Sequence, residues 1–199
     1  MRFTATCVIW ITISICFIAC SKDNNKTSSS KIAGNWSFNG IHANTFSSAM
    51  NVEGGIRYTT ETTSEYTTSL NGGIVNITGN TMTGTGITYA ADMNIFVTDY
   101  EGTTIIDTFS TTAPFNISPT NSTSTFEIIG TDSIHYTSAN GLGSGGAGTP
   151  PANGSIFSIS GDILTLTSNV VQDKVFDTLG VTITQHETAT VVTTLRKQE

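Results

Sequence analysis

One short pattern, repeated three times, constrains the fold more than any other feature of the chain. Its copies read apolar-x-Ile-x-Gly and are Val75–Gly79, Phe126–Gly130 and Phe157–Gly161, each followed by polar residues and a further apolar run. Apolar residues two apart point to the same side of a strand, and glycine supplies the positive φ that tight hairpin turns require. Each copy therefore predicts one β-hairpin. Because the copies are unevenly spaced, they favour a meander over a propeller or a solenoid.

Strand signals continue through residues 32–199. Threonine is abundant, Ile, Val, Phe and Tyr alternate with polar residues, and no segment carries a sustained apolar stripe at helical spacing. Consecutive hairpins predict an all-β domain, an up-and-down antiparallel meander that closes into a barrel, with a two-sheet β-sandwich as the alternative. We expect about eight to ten strands after some segments merge, drawn from 34–43, 56–68, 73–78, 81–89, 93–99, 103–109, 124–129, 133–138, 155–160, 162–168, 175–184 and 188–195.

The chain begins with an apolar run, Phe3–Ile18, that is interrupted by hydroxyl residues. A membrane-spanning helix needs roughly 20 apolar residues, so this run fits a secretory signal better. The sequence at its end, Ile18-Ala19-Cys20-Ser21, resembles the bacterial lipobox. That resemblance implies cleavage after residue 19 and a Cys20 that carries covalent acyl lipid, which is the only cofactor expected. An ordinary secreted protein is the alternative.

The cysteine count agrees with lipidation. Cys7 and Cys16 lie in the predicted signal peptide, 1–19, so Cys20 is the one cysteine left in the mature chain. A disulfide framework is therefore excluded.

A polar segment, 20–31, follows the lipobox and has no apolar residue after Cys20. Its composition predicts a disordered tether between the lipid bilayer and a single all-β domain over 32–199. Ser21–Asn24 resembles the export signal of surface lipoproteins of the Bacteroidota type. We expect a protein anchored in the outer membrane, with the periplasmic face and the cell surface both left open.

The charge balance excludes one class of partner. The chain has 8 Lys and Arg against 15 Asp and Glu, a net charge of −7. Binding the phosphate backbone needs clustered cations, so nucleic acid is not an expected partner. We expect a monomer.

The folded region opens with Gly34-Asn35-Trp36, which resembles the Gly-x-Trp of the lipocalin and calycin superfamily. The resemblance implies a lipocalin-like barrel in which Gly34 turns the chain inward, Trp36 plugs the base and Arg196 stacks on the indole ring. Thr98-Asp99-Tyr100 is similar to a lipocalin turn motif. The alternatives are that Trp36 is an ordinary core residue and that the Thr98–Tyr100 segment is an ordinary turn.

Two hypotheses for function follow. The first is a barrel that binds a small apolar ligand with inward aromatic side chains, the candidates being Phe38, Tyr58, Tyr89, Phe96, Phe126 and Phe157. The second is a displayed structural or interaction domain, which contacts another envelope protein, a glycan or a host molecule.

Catalytic and metal-binding patterns are weak. The loop Ser138–Pro151 contains Gly143-Ser144-Gly145 but has neither the lysine and helix of a phosphate loop nor the setting of a nucleophile elbow. His42, His135 and His186 stand singly, with no second metal ligand at close spacing. We therefore predict neither an enzyme nor a metal site.

Overall fold

A computed structural model describes residues 31–138, 153–178 and 180–199. The anchor and tether predictions, including Cys20, lie outside these residues, as does most of the glycine-rich loop. The described chain forms eight strands, which are β1 (Gly34–Glu53), β2 (Ile56–Thr78), β3 (Thr81–Glu101), β4 (Thr104–Ile129), β5 (Ser133–Tyr136), β6 (Gly154–Ser160), β7 (Ile163–Thr178) and β8 (Val181–Lys197). Over the same residues, no helix has the length and hydrophobicity needed to cross a membrane.

The strands form a closed antiparallel ring. Each strand pairs with the next along the chain, and β1 also pairs with β8 to complete the barrel. The prediction of an up-and-down meander that closes into a barrel is confirmed, and the alternative of two packed sheets is not the arrangement found.

The three repeated patterns form three hairpin turns at one end of the barrel, which we call the base. Gly79, Gly130 and Gly161 follow β2, β4 and β6 and have φ values of 60°, 71° and 61°. A side chain with a Cβ disfavours this left-handed conformation, which explains why glycine recurs here.

The hydrophobic core fills the half of the barrel next to the base. Its main cluster of buried side chains is contributed by every strand and by Ile32, which precedes β1, and Val170 and Ala189 form a separate buried pair on β7 and β8. Its largest fully buried members are Trp36, Phe126, Ile32, Ile77, Met82, Leu164 and Leu195.

Among the described residues, the ring is complete only near the base, because β5 and β6 are short. β5 pairs with Phe126–Ile129 of β4, and β6 pairs with Ile163–Thr167 of β7. The other strands continue well beyond these pairings. We call this continuation of β1–β4, β7 and β8 the upper sheet; among the described residues it has one free edge on β4 and another on β7.

The structure corrects several predicted boundaries. The segment 175–184 is not one strand, since β7 ends at Thr178 and β8 starts at Val181. Thr98–Tyr100 is not a turn, since it lies inside β3 and pairs with β2 and β4. The segment 110–123 belongs to β4 although it contains two prolines.

Candidate functional site

Trp36 lies at the base, inside the barrel. Its side chain is only 1% exposed, and the indole Nε1 donates a 2.9 Å hydrogen bond to the carbonyl oxygen of Ile32. Gly34 precedes it with φ of 136°, a conformation that favours glycine. The short turn before β1 thereby covers the ring from below.

Arg196 lies on the other face of the barrel wall. It pairs with Ser37, the neighbour of Trp36 along β1, so its side chain points outward while the indole points inward. Its guanidinium Nε is 3.5 Å from a carboxylate oxygen of Asp162. The stacking of Arg196 on Trp36 that the resemblance implies is therefore not formed.

The six aromatic residues expected to line a pocket do not converge. Phe38, Tyr89, Phe126 and Phe157 are buried members of the core. Tyr58 is half-buried on the upper sheet, away from that core. Phe96 points outward and is 48% exposed, because the inward positions of β3 are Ala91, Met93, Ile95 and Val97.

An aromatic layer closes the top of the core. The ring of Tyr89 lies 5.9 Å from Phe38 and 6.2 Å from Phe115, and Phe115 meets Tyr66 edge-on at 5.3 Å. Burial, with a smaller contribution from the nearby Tyr66, raises the pKa of Tyr89 to about 12. This layer is the floor of a trough, our name for the space bounded by the inward-facing side chains of the upper sheet.

One wall of the trough is apolar. Met93, Ile95 and Val97 follow one another on the inward face of β3, and Met93 packs against the core below. On β4, Phe109 lies directly opposite Val97. The two strands therefore present a continuous apolar stripe above the aromatic floor.

The inward face of β1, β8 and β7 carries a polar, hydrogen-bonded network, next to the apolar pair Phe176 and Ile183. On β8, the amide nitrogen of Gln185 donates to Ser47 of β1 at 3.2 Å and to Glu187 at 2.7 Å. Lys174 of β7 completes the network with a 3.0 Å ion pair to Glu187. Lys174 and Glu187 thus bring one charge of each sign to the trough.

Sequence reasoning did not identify these wall residues. The alternation of Ala91, Met93, Ile95 and Val97 is visible in the chain and marks an inward strand face. The polar network joins residues of three strands, so it depends on a cross-strand register that one sequence does not reveal.

A serine, a histidine and an aspartate lie in one row on the outer face of the upper sheet. The Nδ1 of His186 is 2.7 Å from a carboxylate oxygen of Asp173, and Ser48 is the cross-strand partner of His186. Among the described residues, Ser48 has no hydrogen bond to the imidazole, and the histidine and aspartate are open to solvent. This row lacks the activated nucleophile of a triad, and the expectation of a non-enzymatic protein stays a prediction.

The three histidines are not brought together. Both ring nitrogens of His42 are in hydrogen bonds, with Thr67 at 2.9 Å and Asn44 at 3.0 Å. Within residues 31–138, 153–178 and 180–199, no three side chains of His, Cys, Asp or Glu are grouped so as to hold a metal ion.

The chain matches no protein-family model, no curated protein and no solved structure.

Proposed function

We propose that this protein is a lipid-anchored, lipocalin-like barrel of the bacterial outer membrane that binds a small amphiphilic molecule in the trough. The observation that carries the proposal is that the inward surface of the upper sheet holds both an apolar stripe, on β3 and β4, and a hydrogen-bonded polar network, on β1, β8 and β7. Small-ligand sites combine apolar lining with a few polar groups that fix orientation.

The geometry suggests how such a molecule would lie. Its apolar body contacts Met93, Ile95 and Val97, and its polar head faces Gln185 and Lys174 on the other wall. The Lys174 ammonium is close to Glu187, so an anionic head would compete for a cation that is already paired. The trough therefore suits a single carboxylate or a neutral polar head better than a dianion.

In this proposal the ligand lies in the trough, above the hydrophobic core, and not inside the core. We expected a pocket lined by Phe38, Tyr89, Phe126 and Phe157. These four side chains are instead buried members of the core cluster. Binding within the base half would require these side chains to move apart, at a cost set by their close packing.

Displacement of a dansyl-labelled undecanoic acid by palmitic acid tests binding in the trough. Val97→Asp places a charge in the apolar stripe and is expected to weaken binding at least about tenfold. Val171→Asp makes the same change at a solvent-exposed position on the outer face of β7, and serves as the control. Circular dichroism shows whether both variants are folded. Absence of saturable binding, or equal binding by both variants, would overturn the proposal.

The anchor is tested separately. The full chain is expressed in a Gram-negative host with labelled palmitate, together with Cys20→Ala. We expect label and membrane association in the wild type and neither in the variant. Equal labelling of the two chains would refute lipidation at Cys20 and leave the trough proposal standing.

A displayed interaction domain is the second candidate function, and one observation favours it. Phe96 is a large, exposed aromatic side chain in a depression on the outer face of the upper sheet.

A further inference from the structure

The depression around Phe96 lies outside the barrel, on strands β2, β3 and β4. It has a volume of about 590 Å³, within the range of about 300–1,000 Å³ that is typical of small-ligand sites. Its lining residues are Thr63, Glu65, Asn94, Ile95, Phe96, Ser110, Thr111 and Thr112.

Phe96 is surrounded by hydrogen-bonding side chains. Thr63 and Ser110 lie directly across from it on the two neighbouring strands. One row nearer the base, Asn94 lies between Glu65 and Thr112. An apolar ring thus forms the centre of a surface whose outward-facing neighbours all carry hydroxyl, amide or carboxylate groups.

The polar groups offer both donors and acceptors to a ligand. Thr112 donates a 3.0 Å hydrogen bond to the side-chain oxygen of Asn94, which orients the amide. Among the described residues, the two N–H donors of that amide have no acceptor. Glu65 supplies carboxylate acceptors beside it, and the hydroxyls of Thr63 and Ser110 can act in either direction.

We infer that this depression is a binding site for a neutral saccharide. A pyranose ring has an apolar face of C–H groups and a rim of hydroxyls that both donate and accept hydrogen bonds. Phe96 offers an aromatic face for the C–H groups, and Asn94 and Glu65 are placed to meet the rim. The site deepens the second candidate function, the displayed interaction domain, and does not depend on the trough.

The charge of the lining residues determines which class of saccharide fits the depression. Among the described residues, no lysine or arginine lines the depression, whereas Glu65 does. Glu61 extends the acidic character along the same face of β2, two residues away from Thr63. The imidazole Nε2 of His42 lies 3.8 Å from the carboxylate of Glu65. A uronic or sialic acid would still meet the negative charges of Glu65 and Glu61, so the fitting ligand carries no carboxylate.

Calorimetric titration of the full chain, solubilised in detergent, with neutral oligosaccharides tests this site. The probes are the xylo-, manno-, malto- and cello-oligosaccharides, and an oligogalacturonide is the acidic comparison. We expect saturable binding of at least one neutral series and none of the acidic one. Phe96→Ala should weaken that binding at least about tenfold, and Asn94→Ala should weaken it as well.

Phe176→Ala is the matched control, since Phe176 is a comparably exposed phenylalanine, 41% against 48%, on β7. The control should bind the saccharide as the wild type does. Absence of binding to every neutral series, or undiminished binding by Phe96→Ala, overturns the inference. Val97→Asp changes the opposite face of the sheet. A failure of the saccharide inference and a failure of the trough proposal can therefore be distinguished, because each is tested with its own ligand and its own variant.

Discussion

The indole nitrogen of Trp36 donates a 2.9 Å hydrogen bond to the carbonyl oxygen of Ile32, four residues earlier in the chain. Both side chains are fully buried. The bond ties the segment before β1 to the first inward residue of the barrel, so that Ile32 covers the base of the core. The Gly-x-Trp pattern therefore has a definite structural role here, although Arg196 takes no part in it.

Trp36→Phe should separate the hydrogen bond from the packing. Phenylalanine keeps most of the apolar contact but leaves the Ile32 carbonyl without its donor, which is expected to cost about 1–3 kcal/mol. Trp36→Ala also creates a cavity and should cost about 3–5 kcal/mol. Urea unfolding followed by circular dichroism measures both. A negligible loss for Trp36→Phe would show that the hydrogen bond contributes little, whereas equal losses for the two variants would show that the additional packing lost in Trp36→Ala contributes little.

Replacement of Gly73 should be strongly damaging. A Cβ there would lie 2.7 Å from the backbone oxygen of Gly86 and 2.8 Å from the Cα of Ile87, at φ of +108°. Gly73→Ala should therefore cost about 2–5 kcal/mol, from backbone strain and crowding together. Gly102→Ala isolates the strain, because Gly102 has φ of +63° and open space around it, and should cost only about 1–2 kcal/mol. Thermal unfolding compares the two, and a similar loss in both would contradict the crowding argument.

The part of the fold near the base could be predicted from sequence because its signals are local. Gly79, Gly130 and Gly161 each end a strand whose apolar residues alternate, so turn chemistry and periodicity agree. The upper sheet was harder to predict. The segment 110–123 contains Pro114 and Pro119 among Ser, Thr and Asn, a composition typical of loops, but it forms part of β4 at a free edge of the sheet.

The candidate sites were less accessible than the fold. The exposure of Phe96 follows from the alternation of β3, but its polar surroundings come from β2 and β4. The network of Ser47, Gln185 and Lys174 likewise joins residues far apart in the chain. Register sets which side chains meet across strands, and in the described part of the chain β5 and β6 pair only near the base. Neither property is encoded in a local pattern.

The aromatic floor should make the fold sensitive to alkali. The pKa of Tyr89 is raised to about 12, and burial also raises the pKa of Tyr136, against the opposing hydrogen bond with Ser155. Between about pH 10 and 12 the unfolded chain loses the Tyr89 proton and the folded chain keeps it, so stability falls as the pH rises. The loss should approach about 2–3 kcal/mol for Tyr89.

Tyr89→Phe should remove that part of the pH dependence. Unfolding free energies of the variant, measured by urea titration at pH 9 and near pH 11, are expected to differ less than those of the wild type. Tyr58→Phe, a tyrosine outside the aromatic layer, is the control and should keep the wild-type dependence. An unchanged slope in Tyr89→Phe would assign the alkaline loss to other groups.

The two prolines of β4 should protect the barrel against association through its edge. No described strand pairs with β4 between Thr104 and Thr123 on the side away from β3. Proline has no N–H to offer a neighbouring strand, and edge strands tolerate it where its nitrogen faces outward. Replacing Pro114 and Pro119 by threonine restores two donors on a strand of high β-propensity. We expect the double variant to form dimers or larger species in size-exclusion chromatography with light scattering. Asn116→Thr introduces the same residue on the same strand without adding a backbone donor, and it should elute as the wild type does. A double variant that also elutes as the wild type would show that other features of β4 block edge pairing.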